Sequence, residues 1–148
     1  MGSSRVVTIL LVEDDEVDVK ALKWAFEKLK VANPLVVARD GVEALDYLFG
    51  SGAWIGRDLT RTPPLVLLDL KLPKLDGIEV LRRIRSDART RMIPVVILTS
   101  SDEEQDMVRG YAVGANSYVR KPIDFNEFSE AVRVMGVYWL LLNRAPGS

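Results

Sequence analysis

The sequence contains no cysteine and no histidine. Without cysteine there is no disulfide, no thiolate metal site and no thiol nucleophile. Without histidine the commonest general base and the commonest metal ligand are missing, and a Ser-His-Asp triad is excluded. A phosphohistidine carrier is excluded as well. Chemistry therefore falls to carboxylates, lysines, hydroxyls or an oxygen-ligated metal. An excess of one charge is also lacking: 20 Lys and Arg face 21 Asp and Glu, for a net charge of −1. With no basic surplus, neither nucleic acid nor an acidic membrane is an expected partner. The longest apolar runs, Val6–Val12 and Val137–Leu142, fall far short of the ~20 residues a membrane helix needs. Met1 to Arg5 is short and polar, and no signal-peptide pattern follows it. A soluble, cytoplasmic protein is expected.

What is present suits one globular domain. A chain of 148 residues has room for a single unit of ordinary size. Five short apolar runs punctuate it: Val6–Val12, Leu35–Ala38, Leu65–Leu68, Val95–Leu98 and the weaker Ser117–Val119. The first four are rich in Val, Ile and Leu with little polar alternation, as in strands buried on both faces of a parallel sheet. Segments of helical spacing separate them, at Glu16–Lys30, Val42–Phe49, Gly77–Ser86, the more polar Glu103–Val113, and Phe125–Leu142. A β-α unit repeated five times predicts a parallel sheet with helices on both faces. Gly50 to Pro64, with three glycines and two prolines, reads as an extended surface loop.

In open α/β sheets, ligands bind beyond the carboxyl ends of the strands, where the strand order switches. Glu13, Asp14 and Asp15 follow strand one. Strand three ends in Asp69, strand four in Thr99, Ser100 and Ser101, and strand five in Lys121 and Pro122. Each has a plain structural reading. Asp14 or Asp15 would cap the helix at Glu16. Asp69 would be a turn residue before Pro73, Thr99 or Ser100 a cap for the next helix, and Lys121 a solvated lysine. The conjunction points further. Three carboxylates converging on one edge repel one another unless a cation relieves them. A donor set made only of oxygens suits Mg²⁺. Lys121 and Thr99 then complete a pocket for a phosphoryl group, with Asp69 as the nucleophile. A dinucleotide or P-loop site would need a glycine-rich loop after strand one, where Val12-Glu13-Asp14-Asp15 stands instead. An aspartyl-phosphatase of the haloacid dehalogenase type uses a second Asp two residues after the first, and here that residue is Lys71.

The motifs E-D-D from Glu13, D-L-K-L-P-K-L-D-G from Asp69, T-S-S from Thr99 and G-A-N-S-Y-V-R-K-P from Gly114 form a set. So do the intervals of 30 residues from Asp69 to Thr99 and 22 from Thr99 to Lys121. Over a core of about 6–135 the sequence resembles the receiver domain of two-component response regulators. That resemblance implies a flavodoxin-like (βα)5 fold, a doubly wound parallel sheet of strand order 2-1-3-4-5. It implies that Asp69 accepts a phosphoryl group from a sensor histidine kinase. Glu13, Asp14, Asp69 and the backbone carbonyl of Lys71 would hold Mg²⁺. Thr99, Ser100 and Lys121 would bind the phosphoryl group, and Tyr118 would move inward with Thr99. Pro122 is expected to follow a cis peptide bond. Self-dephosphorylation would depend on the flanking Lys71 and Ser101.

Three further features resemble the stand-alone response regulators paired with bacterial and cyanobacterial phytochrome kinases. Asp14 and Asp69 lie 55 residues apart, longer than a compact receiver needs, with the excess in the Gly50–Pro64 loop. D-G-V-E-A-L-D-Y-L follows strand two. The last helix is expected over 125–143, and its C-terminal end, from Val134 to Leu142, is apolar nearly all round. This resemblance implies a homodimer through a C-terminal face that includes Val134, Tyr138, Trp139 and Leu142. It also implies a bacteriophytochrome partner and output to a downstream phosphotransfer or effector protein. The alternative is a degenerate receiver that binds or dimerises without phosphorylation.

Overall fold

A computed structural model of the chain describes residues 8–100, 109 and 111–134. The apolar runs form five strands: β1 (Ile9–Val12), β2 (Leu35–Ala38), β3 (Val66–Asp69), β4 (Val95–Thr99) and β5 (Ser117–Arg120). They pair in parallel in the order β2-β1-β3-β4-β5, a (βα)5 flavodoxin-like sheet. The longer described helices are α1 (Glu16–Lys28), α2 (Gly41–Phe49), α3 (Gly77–Ser86) and α4 (Phe125–Val134), with a 3-10 turn at Gly52–Trp54; residues 109 and 111–113 are helical as well. Among the described residues no helix is long and apolar enough to cross a membrane.

β1, β3 and β4 are buried along their whole length, which is why their sequences show no polar alternation. Successive side chains of a strand point to opposite faces, so these runs feed two cores. Ile9, Leu11, Leu67 and Leu98 pack under α1 and α4, against Leu22, Phe26 and Phe128. Leu10, Val12, Leu68 and Ile97 pack under α2 and α3, against Leu48, Leu81 and Ile84. Both faces are thereby covered, as a parallel sheet requires.

Most boundaries agree with the apolar pattern, and the exceptions have causes. β3 and β4 run on to the polar Asp69 and Thr99 because the ladder still has partners there, Asp69 opposite Leu98 and Thr99 opposite Arg120. α1 ends at Lys28 rather than Lys30 because Lys30 takes a left-handed backbone, φ 60°. The Gly50–Pro64 segment is anchored rather than loose. Trp54 sets its ring edge-on to Tyr47, centroids 4.8 Å apart. The Arg57 guanidinium lies 4.1 Å over the Tyr47 ring and donates to the carbonyls of Tyr47 (2.6 Å) and Leu48 (3.3 Å). It thus serves carbonyls that the end of α2 leaves without intrahelical partners. Most of Glu103–Val113, the part of Phe125–Leu142 beyond Val134, and Val6 and Val7 lie outside the described residues.

β1 sits between β2 and β3, so the chain leaves its carboxyl end in one direction and returns past it from the other. This opens a cleft at the ends of β1 and β3. One wall is the start of α3. Asp76 caps it, accepting from Glu79 N at 3.0 Å, and Gly77 N donates to Leu70 O at 2.9 Å. A Cβ on Gly77 would lie 2.3 Å from the Asp69 carbonyl oxygen and 2.6 Å from Leu70 Cα. Both obstacles are backbone, so only a shift of α3 against β3 would make room. We expect Gly77→Ala to destabilise the fold by about 1–3 kcal/mol in chemical denaturation; an unchanged midpoint would show that α3 draws away freely.

Candidate functional site

The ladder delivers the site residues to one edge. Glu13 directly follows β1, and its N–H donates to Ala38 O at 2.9 Å. Asp69 ends β3 and Thr99 ends β4. Lys121 directly follows β5, its N–H donating to Thr99 O at 2.7 Å. The carboxylate oxygens of Glu13, Asp14 and Asp69 come within 4.8 Å of one another. Glu13 and Asp69 are buried and Asp14 is exposed. Asp15 stays out of the cluster: it caps α1, accepting from Val17 N at 2.8 Å and Asp18 N at 3.4 Å. The plain capping reading thus holds for the last of the three acids after β1.

Lys121 Nζ stands among three carboxylates, 2.8 Å from Glu13 Oε1, 3.1 Å from Asp69 Oδ2 and 3.1 Å from Asp18 Oδ2. Asp18 is the member that the sequence reading missed. Its signal was its place three residues after the cap of α1, one turn from the same sheet edge. Lys71 has an exposed side chain, and its N–H donates to Asp69 Oδ1 at 3.2 Å. Thr99 is fully buried, its Oγ1 donating to Ser100 O at 3.2 Å, and Ser100 is half-buried. Tyr118 is half-buried against the α2–α3 core, with its ring edge-on to Tyr111. The Lys121–Pro122 peptide bond is cis. Val134 is exposed; Ser101, Tyr138, Trp139 and Leu142 lie outside the described residues.

Burial dominates the electrostatics of Glu13. It pushes the carboxyl up to about 7; the Lys121 ammonium opposes the shift and the adjacent Asp69 adds to it. Burial alone would lower the pKa of Lys121, but its pairing with Glu13 and Asp69 outweighs that and raises it. Glu13 Oε2 accepts from Asp15 N at 3.1 Å. Its buried Oε1 makes no well-angled hydrogen bond among the described residues and has only the ammonium to offset its charge. A buried carboxylate that shares its one ammonium with neighbouring acids, two more carboxylates beside it and one exposed side for entry fit a hard divalent cation.

A family model described as the response regulator receiver domain matches residues 9–133. The chain belongs to this family. As a receiver it is a phosphoryl-accepting component of two-component signalling, and its acidic cluster is poised for self-catalysed transfer rather than for the work of a conventional enzyme. The receiver is similar to a probable methanogenesis regulatory protein, FilR2, of Methanothrix harundinacea. The two are 45% identical over 140 residues, 94% of this chain and 87% of the relative. Among solved structures it is similar to the bacteriophytochrome response regulator AtBRR, at 52% identity and a TM-score of 0.82, covering 94% of this chain and 99% of that one. It is also similar to the Mn²⁺-bound form of response regulator Rcp1, at 32% identity and a TM-score of 0.73, covering 95% and 97%. The same regulator of Synechocystis is 34% identical over 132 residues, 89% of this chain and 88% of Rcp1.

The buried Glu13 has a measurable consequence. A carboxyl whose pKa rises on folding stabilises the native state below its unfolded value of 4.5, and that contribution is lost as pH climbs through about 7. Asp87, which Arg89 holds at about 2, acts only at more acid pH. In cation-free buffer the melting temperature of the wild type is expected to fall across the Glu13 window, and less steeply in Glu13→Gln. Saturating divalent cation should flatten the wild-type slope. Parallel slopes in the two proteins would refute this account.

Proposed function

We propose that Asp69 accepts a phosphoryl group from the phosphohistidine of a sensor histidine kinase. The observation that carries this reading is the placing of Lys121 Nζ 3.1 Å from Asp69 Oδ2 within the Glu13–Asp14–Asp69 cluster. An Asp69 carboxylate oxygen attacks phosphorus and an O–P bond forms. The N–P bond of the donor breaks, and its electron pair returns to the imidazole nitrogen, which takes a proton from solvent. Lys121 pairs with the incoming phosphoryl oxygens, and Thr99 and Ser100 turn donors toward them. Hydrolysis by in-line water returns the carboxylate. Glu13, Asp14, Asp69 and the Lys71 carbonyl would hold Mg²⁺, which when bound neutralises charge on the phosphoryl oxygens. The oxygen-only donor set and the Mn²⁺ in Rcp1 support that choice.

The phosphoryl group adds charge and acceptors at the edge. It biases the protein only through contacts that differ between two states. Thr99 drawn toward the phosphoryl group and Tyr118 following it would carry the change to the surface around β5 and α4. The likeness to AtBRR supports a phytochrome-type kinase as donor, and we place the exchange in the cytoplasm. We also propose a receiver core of about 6–135 and a last helix over 125–143; the family match over residues 9–133 supports the core. Output passes to a downstream phosphotransfer or effector protein. Every position that the chemistry needs is filled, which disfavours a degenerate receiver.

Incubation with Mg²⁺ and acetyl phosphate is expected to add one phosphoryl group to the wild type, read by intact mass, and none to Asp69→Asn. No gain in either would sink the reading. We further propose a homodimer through a C-terminal face including Val134, Tyr138, Trp139 and Leu142, supported by the apolar stretch from Val134 to Leu142. Trp139→Ala should then shift the size-exclusion mass toward the monomer; a monomeric wild type or an unchanged dimer counts against it.

A further inference from the structure

α1, α2, α3 and α4 each start from an Asp cap followed three residues later by an acid: Asp15 and Asp18, Asp40 and Glu43, Asp76 and Glu79, Asp124 and Glu127. At such a start the acid commonly reaches back to the backbone at the foot of the helix. Glu43 does so, accepting from Arg39 N at 3.0 Å, and Glu127 accepts from Arg120 N at 3.0 Å. α3 departs from this, its Glu79 pairing with Arg82 and Arg83 of its own helix instead, and so does α1. In α1 the cap N–H, that of Asp15, is taken by Glu13 Oε2 at 3.1 Å. The acid after this cap is an Asp rather than a Glu, and its carboxylate is turned to Lys121 at 3.1 Å.

A lysine is a point charge on a flexible four-carbon stem, and holding it still needs as many acceptors as it has donors. Lys121 has three such acceptors: Glu13 from β1, Asp69 from β3 and Asp18 from α1. Two of these are the acids that line up for a divalent cation. Once they share their charge with a cation, and Asp69 with a phosphoryl group, Asp18 alone is left committed to the ammonium. Its side chain is only 14% exposed, so water competes weakly for the contact.

We propose that Asp18 is a positioning residue for Lys121, holding the ammonium at Asp69 and thereby setting the rate of phosphoryl transfer there. The role in transfer rests on the reading of Asp69 as phosphoacceptor. Asp18→Ala should slow phosphorylation at saturating acetyl phosphate and Mg²⁺ on the order of tenfold, with the half-saturating donor concentration little changed. Asp18→Asn, which keeps the size and one acceptor, should fall between Asp18→Ala and the wild type. In a Lys121→Met background the Asp18 substitutions should have no further effect, because a residue acting through Lys121 has nothing left to position. Independently of phosphorylation, the Lys121 ammonium should give an observable ¹H–¹⁵N signal in the folded wild type that is broadened or lost in Asp18→Ala. Wild-type rates in Asp18→Ala, or an equal loss with and without Lys121, would overturn the proposal. So would an ammonium signal unchanged by the substitution. If the wild type takes up no phosphoryl group, the reading of Asp69 fails, and the ammonium signal still decides whether Asp18 positions Lys121.

Discussion

The ammonium of Lys121 holds together an arrangement that would otherwise push itself apart. Glu13 and Asp69 carry carboxylates out of water at the ends of adjacent strands, with Asp14 beside them. Removing one partner from a buried ion pair is strongly destabilising, because an uncompensated charge is left behind. Here one cation stands against several anions, so the compensation is incomplete. The raised pKa of Glu13 is the visible sign: even with Lys121 2.8 Å away, burial wins. The site is thus built short of positive charge, the condition under which a divalent cation finds favourable contacts.

This shortage is tolerable because the rest of the fold is rigid where it meets the edge. β1, β3 and β4 are buried on both faces and locked in register by their ladders. The start of α3 is pressed so closely against the end of β3 that Gly77 has no room for a Cβ. A carboxylate at the end of such a strand has little freedom to turn away from its neighbours. The hydrophobic faces therefore hold like charges at a separation that the charges alone would not choose.

Where each residue falls explains what its sequence disclosed. The interior strands announced themselves because burial on both faces leaves unbroken Val, Ile and Leu. The positions of Glu13, Asp69, Thr99 and Lys121 followed from their place immediately after or at the end of those runs. Asp18 stayed hidden because its role depends on where a helix turns a side chain, and because the start of a helix already gives an acid a sufficient reason to be there. The Gly50–Pro64 segment is the surface loop that its glycines and prolines signal, but its anchoring comes from Arg57 stacking on Tyr47 and capping α2, contacts that no local pattern encodes. Local composition thus revealed the strands and their ends, and side-chain geometry across elements decided the rest.

That division bears on how a signal could leave the site. A bound group shifts a conformational equilibrium only as far as its contacts differ between the two states. Glu13 and Asp69 stand at the ends of strands locked in register, which leaves their backbones little room to shift. The differential part has to come from groups with freedom to move. Thr99 has a hydroxyl whose donor now serves Ser100 O, and Tyr118 a half-buried ring on the neighbouring strand. These two belong to β4 and β5, on the side of the sheet away from β1 and β2. A held cluster of acids and ammonium thus borders an adaptable hydroxyl and ring, and the second pair is the part suited to carry the state of the site outward.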